Sequence, residues 1–267
     1  MKCLLYCLFQ KPQLADVVVD LPVGVQGEKV LVANYLDLFA AYSFYTNVQH
    51  QQVKLANSES SQKTPVIREA LVFSQIIEML HQQYTLIPIR FGCYLDNEQQ
   101  LIKHLNNNYQ QYTTQLASLN NLTEFSIKAI LPTQTSKIKS ERLDQGALKD
   151  ELSNDNKQVA GKAYLQTRQS YYNETTNNIE LNLLIERING TFQGLYYQCQ
   201  SEVNTQAGQR ILSIYYLVAK KTIKSFNMAF QQLVSTSSNC QKLLLSGPWP
   251  PYNFVTKPVI KPTILVN

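Results

Sequence analysis

The run Lys2–Phe9 (KCLLYCLF), at the beginning of the chain, constrains the fold more than any other segment. Its apolar side chains stand at consecutive positions instead of alternating with polar ones, so a strand here would be apolar on both faces. Strands of this kind lie in the interior of a sheet. We therefore predict a central strand, and the 44% hydrophobic content of the 267 residues is enough for a core around it.

Turn and cap signals divide the first half of the chain into short strands and two helices. Thr64-Pro65 predicts a helix start, with Thr as the N-cap and Pro at the first position. Asp96-Asn97-Glu98 predicts a second start, and Asn120-Asn121 predicts its end. Around these helices we expect strands at Val30–Ala33, Ala41–Val48 and Thr85–Leu95, with a turn of helix over Asn34–Ala40 and loops at 21–29 and 50–63.

Helical spacing selects the side chains that should face the core in these two helices. The first helix extends to about Gln83, and its expected inner positions are Ile67, Leu71, Ile76, Ile77 and Leu80. The second helix has expected inner positions at Leu101, Ile102, Leu105, Tyr109, Tyr112, Leu116 and Leu119.

The second half of the chain has the element order β-α-β-β-α-β. Strands are predicted at Phe125–Leu131, Gly194–Glu202, Arg210–Ala219 and Leu243–Leu245, with helices at Gly161–Ile188 and Thr222–Val234 and a turn at Gln206–Gln209. This order is that of a ferredoxin-like domain. We therefore predict an α+β protein with a mixed α+β domain at 1–121, a ferredoxin-like domain at 122–246 and a Pro- and aromatic-rich arm at 247–267.

Charge and cysteine content exclude several classes of protein. The net charge is +5, but the densest basic run, Lys137–Arg142 (KIKSER), is interrupted by Ser and Glu, so nucleic acid is not the expected partner. None of the five cysteines forms a CxxC pair, which indicates free thiols in a cytosol. No apolar run is long enough for a signal peptide or a membrane span, so we expect a cytoplasmic protein without a membrane partner.

The sequence contains no catalytic constellation of a known kind. Its three histidines, His50, His81 and His104, have no metal-ligand spacing, and there is no phosphate-binding glycine loop or nucleophile elbow. We therefore predict no catalytic residue, no metal and no cofactor. Two alternatives stay open: nucleic-acid binding through the ferredoxin-like sheet, and an enzyme with an interdomain site, for which the candidates are Arg90, Glu98, Tyr164 and Arg168.

The stretch Leu86–Gly92 (LIPIRFG) combines features that are unusual in a strand. Pro88 removes a ladder donor, which indicates an edge strand or a bulge. Arg90 stands between Ile89 and Phe91 in an apolar run, where its guanidinium needs partners. It is either an internal Arg satisfied by a carboxylate or by carbonyls, or an exposed Arg used for recognition.

The stretch Ser246–Val255 (SGPWPPYNFV) holds three prolines and the single tryptophan of the chain. The prolines fix φ and remove backbone donors, so the segment should leave the last strand as a stiff extended arm. In one interpretation Trp249, Tyr252 and Phe254 staple this arm across the body, onto the N-terminal domain. In the other, the arm binds a partner directly.

Four of these segments, taken in order, resemble the GvpL/GvpF family of gas vesicle proteins. They are LIPIRFG, the helix start DNEQQLIKHL, GKAYL at Gly161–Leu165 and GPWPPYNF at Gly247–Phe254, and the resemblance spans about residues 2 to 255. The segments carry the candidate interaction residues Pro88, Arg90, Phe91, Gly92, Tyr164, Gly247, Pro248, Trp249, Pro250, Pro251, Tyr252 and Phe254.

The resemblance implies a non-enzymatic accessory protein of gas vesicle formation. It implies as partners the small hydrophobic shell protein and other gas vesicle proteins, and as fold an α+β N-terminal domain with a modified ferredoxin-like C-terminal domain. The family supplies no catalytic residues. A partner could bind by strand addition to an edge strand or in an aromatic groove, and surface tyrosines, of which the chain has 16, would add contact area.

Overall fold

The computed structural model describes residues 1–10, 21–46, 63–131, 179–236 and 242–255. These residues form a mixed α+β fold with two antiparallel sheets. The first sheet has the strand order β2-β3-β1-β4. Strand β5 also pairs with β1, at Cys3 and Leu4. Its strands are β1 (Lys2–Gln10), β2 (Leu31–Tyr35), β3 (Leu38–Tyr45), β4 (Leu86–Pro88) and β5 (Tyr94–Leu95).

Strand β1 is central, which confirms the prediction from its apolar run. It pairs with β3 on one side and with β4 and β5 on the other. The register with β3 shifts between Leu5 and Cys7, so Leu5 and Leu8 share one core while Tyr6 and Phe9 share another. This irregularity explains why the buried positions of β1 do not alternate simply.

Helices cover both faces of this sheet. Helix α1 (Lys63–Gln83) buries Phe73, Ile76, Ile77 and Leu80 in the core cluster of Tyr6 and Phe9. Helices α2 (Glu98–Asn107) and α3 (Tyr109–Ser118) pack their apolar residues into the cluster of Leu5 and Leu8.

Three side chains predicted to face the core are exposed, and one helix start is shifted. Ile67 and Leu71 are 57% and 59% exposed, because the buried face of α1 is centred on Phe73 and Ile77. Ile102 is exposed as well, whereas Leu101 and Leu105 are fully buried. Helix α1 begins at Lys63, so Thr64 lies inside the helix rather than at its cap.

The predicted second helix is two helices. Its start is confirmed, because the Asn97 side chain accepts a hydrogen bond from the Gln100 backbone N–H at 2.9 Å. The break falls at Asn108, whose backbone is non-helical and whose side-chain amide donates to the His104 carbonyl at 2.8 Å. The His104 carbonyl also accepts from the Asn108 backbone N–H at 3.2 Å, so it is shared by the two donors.

Two predicted elements of the first half are wrong. The turn of helix over Asn34–Ala40 is a tight hairpin between β2 and β3, with Leu36 at a φ of 54°. The single strand over Thr85–Leu95 is the pair β4 and β5, separated by a turn in which Gly92 has a φ of 93°. A positive φ suits glycine, which explains why the chain turns there.

The second sheet has the strand order β7-β8-β6-β9, with all neighbours antiparallel. Helix α4, described over residues 179–191, and helix α5 (Ile223–Thr236) pack on one face through a core that includes Phe192 and Phe226. The strands are β6 (Leu122–Ile130), β7 (Gln198–Gln206), β8 (Gln209–Ala219) and β9 (Leu243–Trp249).

The element order of the second half is the predicted one, with shifted boundaries. Strand β7 begins four residues after the predicted Gly194, at Gln198. Strand β9 continues to Trp249, so the Pro-rich stretch is partly in the sheet and is not wholly an arm. Segment GKAYL and residues 137–156 lie outside the described residues.

The two sheets meet along one continuous core. Leu122 of β6 and Leu217 of β8 belong to the same apolar cluster as Leu116 of α3. The Lys220 backbone N–H donates to the Asn121 carbonyl at 2.9 Å, and the Lys220 ammonium donates to the His81 carbonyl at 2.9 Å. We call this contact region the seam.

Candidate interaction surface

The C-terminal segment 246–255 enters the fold beside β6. Trp249 pairs with Glu124 and Ser246 pairs with Ser126, with an irregularity between the two pairs. Gly247 lies in this irregularity with a φ of 125°, and a Cβ there would stand 2.7 Å from the Glu124 carbonyl oxygen. Only glycine fits this backbone conformation and this close approach. The glycine of GPWPP is therefore required by the contact with β6.

A buried carboxylate holds the end of this segment. Glu124 accepts a hydrogen bond from the Asn253 backbone N–H at 2.8 Å and from the Asn253 side-chain amide at 2.6 Å. The Asn253 carbonyl accepts from the Gln200 amide of β7 at 2.5 Å. Burial raises the pKa of Glu124, and the two Asn253 bonds act against that rise.

The aromatic residues of the segment lie in different surroundings. Tyr252 packs against the core under α1, and Phe254 packs against the core under α2 and α3. Burial raises the pKa of the Tyr252 hydroxyl, so it stays protonated. Pro250 and Pro251 are buried, whereas Trp249 is 38% exposed. Tyr252 thus packs against residues of the first half of the chain, whereas Trp249 is not a buried anchor.

The LIPIRFG stretch divides between the core and the surface. Pro88 lies in β4, at the edge of the first sheet, and is buried opposite Cys7. Phe91 packs edge-on against Phe73 of α1, with ring centroids 5.2 Å apart. Arg90 is exposed, so it is not an internal arginine. Its positive charge lowers the pKa of the Cys93 thiol, although burial raises it more.

A histidine lies buried at the seam. His81 of α1 contacts the Thr123 hydroxyl through Nε2 at 3.3 Å, and that hydroxyl donates to the Trp249 carbonyl at 2.9 Å. Because the hydroxyl proton is used, His81 Nε2–H must be the donor to Thr123. Nδ1 is buried and has no hydrogen-bond partner. Burial, with Lys220 nearby, lowers the pKa of His81 to about 4.

Of the four residues considered for an interdomain enzyme site, the structure describes Arg90 and Glu98. Tyr164 and Arg168 lie outside the described residues. Burial, with the Glu98 carboxylate nearby, raises the pKa of Cys3 to about 11 and that of Tyr42 to about 12. Both groups therefore stay protonated at neutral pH and are poor nucleophiles. Within the described ranges no group of three or more His, Cys, Asp or Glu side chains is placed to hold a metal ion.

Sequence reasoning missed three features of this surface. The Glu124–Asn253 contact joins residues far apart in the chain, and the burial of His81 depends on the seam. The third feature is β7, all of whose residues are exposed. Its polar composition, QCQSEVNTQ, was the available signal. The prediction that the tyrosines form contact area on the surface is wrong for seven of them, which are buried: Tyr6, Tyr42, Tyr45, Tyr84, Tyr94, Tyr112 and Tyr216.

Comparison with known proteins supports the resemblance noted in the sequence. No helix of the described part of the chain is long and apolar enough to cross a membrane. No curated protein sequence matches significantly. The gas vesicle protein GvpF from Anabaena sp. PCC7120 has a similar fold, with 16% identity, 95% coverage of both chains and a TM-score of 0.61. GvpF from Microcystis aeruginosa has 17% identity, coverage of 95% of this chain and 98% of its own, and a TM-score of 0.65.

The structural likenesses show a shared fold, and the sequence match shows the family. The sequence profile described as "Gas vesicle synthesis protein GvpL/GvpF" matches residues 2–256. Because this match covers nearly all of the 267 residues, the chain belongs to the GvpL/GvpF family of gas vesicle proteins.

Proposed function

We propose that this chain is a cytoplasmic accessory protein of gas vesicle formation that binds the small hydrophobic shell protein and other vesicle proteins during assembly. Membership of the GvpL/GvpF family across residues 2–256 carries this proposal. In this role the protein acts by contact and catalyses no reaction.

We also infer the organisation predicted from the sequence: a unit at 1–121, a modified ferredoxin-like unit at 122–246 and an arm at 247–267. The strand order β7-β8-β6-β9 with helices on one face supports the ferredoxin-like description. The contacts of Tyr252 and Phe254 support an arm that packs back on the body.

Nucleic-acid binding through the second sheet gains no comparable support. The open strand β7 carries one acidic residue, Glu202, and no basic or aromatic residue. RNA-binding sheets use aromatic side chains for stacking, and phosphate contacts need cationic ones.

Co-purification from cells that form gas vesicles tests the proposal. The tagged chain should retain the shell protein, and a strain lacking the chain should lose buoyancy. Leu8→Ala provides a control for loss of fold, because it opens a cavity in the core under α2 and α3. If no vesicle protein co-purifies with the wild-type chain and the deletion strain still floats, the proposal is wrong.

A further inference from the structure

Strand β7 is an exposed edge strand, and its Gln200 amide donates to the Asn253 carbonyl of the C-terminal segment at 2.5 Å. All nine of its residues, Gln198–Gln206, are exposed. Within the described residues β8 is the strand that pairs with it, and their register is continuous from Gln198 to Gln206. The side of β7 that faces away from β8 therefore presents a row of backbone N–H and C=O groups.

The hairpin turn determines which residues present these groups. Ala207 and Gly208 have φ values of 48° and 77°, which is the signature of a two-residue type I′ turn. Such a turn closes on a hydrogen-bonded pair, here Gln206 and Gln209. Because pairing alternates along an antiparallel ladder, the backbone groups of Ser201, Val203 and Thr205 point away from β8.

The edge of β7 lacks the sequence features that usually prevent an edge strand from pairing with another chain. It contains no proline, no lysine or arginine and no bulge. Its single charge, Glu202, accepts a hydrogen bond from the Tyr215 hydroxyl of β8 at 2.7 Å and thus lies along the sheet's own surface.

We propose that β7 pairs antiparallel with β7 of a second copy of this chain, about a two-fold axis at Val203. In this register Val203 faces its own copy, and Ser201 faces Thr205 in both directions. All three residues direct their backbone groups outward, so each facing pair exchanges two hydrogen bonds. The two four-stranded sheets become one continuous sheet, and the exposed Val203 side chains become buried.

The side chains of β7 are complementary to themselves in this register. Glu202 lies opposite Asn204, whose amide can donate to the carboxylate. The Ser201–Thr205 pairs place hydroxyl beside hydroxyl, a favourable cross-strand combination. A shift of the axis to Glu202 would place two carboxylates directly opposite each other, which is unfavourable. The sequence of β7 therefore fits its own copy at Val203.

Charge variants at Val203 test the partner and the register together. The wild-type chain should sediment at about twice 30.5 kDa. Val203→Lys and Val203→Glu should each sediment as monomers, because the axis places each new charge opposite itself. An equal mixture of the two should recover the dimer mass, because Lys then faces Glu. Val203→Thr keeps strand propensity and the backbone donor, so it should remain dimeric.

Ser201→Pro provides a second test that leaves the pairing with β8 intact. Proline removes the outward N–H of Ser201, so the monomer fraction should rise while the melting temperature of the monomer is retained. A monomeric wild type, dimeric Val203→Lys, or a Lys/Glu mixture that stays monomeric would each overturn the proposal. It does not rest on the proposed function, because shell-protein binding is measured separately.

Discussion

Strands β1 and β7 have the same length of nine residues and lie at opposite extremes of burial. Seven consecutive residues of β1 are buried, whereas every residue of β7 is exposed. Strand β1 has neighbours on both sides and helices on both faces, while β7 lies at the edge of its sheet. The difference teaches that surrounding layers, rather than strand length, determine how much of a strand the core contains.

Truncation in the two strands is the strongest test of this difference. Leu8→Ala removes a fully buried side chain and should lower the free energy of unfolding by about 2–5 kcal/mol. Val203→Ala removes a side chain of similar chemistry from β7 and should lower it by less than about 0.5 kcal/mol in the monomer. Urea unfolding at low protein concentration measures both. Equal losses would show that β7 contributes to stability as β1 does.

The seam, where the two regions meet, should show its burial as a dependence on pH. In the folded chain His81 is neutral at pH 7, because burial lowers its pKa from 6.5 to about 4. The unfolded chain binds a proton at His81 more tightly than the folded chain does. The free energy of unfolding therefore falls as pH falls from about 6.5 to about 4, by at most roughly 3 kcal/mol.

His81→Gln isolates this effect from Glu124, whose raised pKa contributes with the opposite sign as pH falls. Unfolding of the wild type and of His81→Gln should be compared at about pH 7 and about pH 4.5. The wild type should lose more stability than the variant on acidification. Parallel pH profiles would show that His81 is not desolvated at the seam.

Two aromatic residues of the C-terminal segment show the same contrast between a buried and an exposed side chain. Tyr252→Ala removes a ring packed under α1 and should lower the free energy of unfolding by about 2 kcal/mol. Trp249→Ala removes a partly exposed ring and should lower it by less than about 1 kcal/mol. Thermal unfolding of both variants, with shell-protein binding measured alongside, separates a staple from a binding arm. A larger loss in Trp249→Ala would reverse this assignment of anchors.

Local sequence signals were sufficient wherever local chemistry decided the structure. The Asn97 cap and the turn at Ala207-Gly208 follow from a side-chain bond and from positive φ. The break at Asn108, where the backbone leaves helical geometry, was not predicted.

The candidate surface was less predictable, because its parts come together only in the folded chain. The motif GPWPPYNF was visible, but its partner Glu124 lies in a strand that precedes it by more than a hundred residues. The apolar neighbours of Arg90 left open whether it is internal or exposed, and only the folded chain shows it at the surface. Neither contact has a signal within a short window of sequence.

The sequence by itself determined the family, the α+β class, the central position of β1 and the element order of the second half. These follow from apolar periodicity and short motifs, which act over a few residues. Only the tertiary structure decided that His81 is buried, that Trp249 is not the anchor of its segment and that β7 stays uncovered. Those outcomes depend on which layers meet across the chain, and burial by distant residues leaves no local pattern.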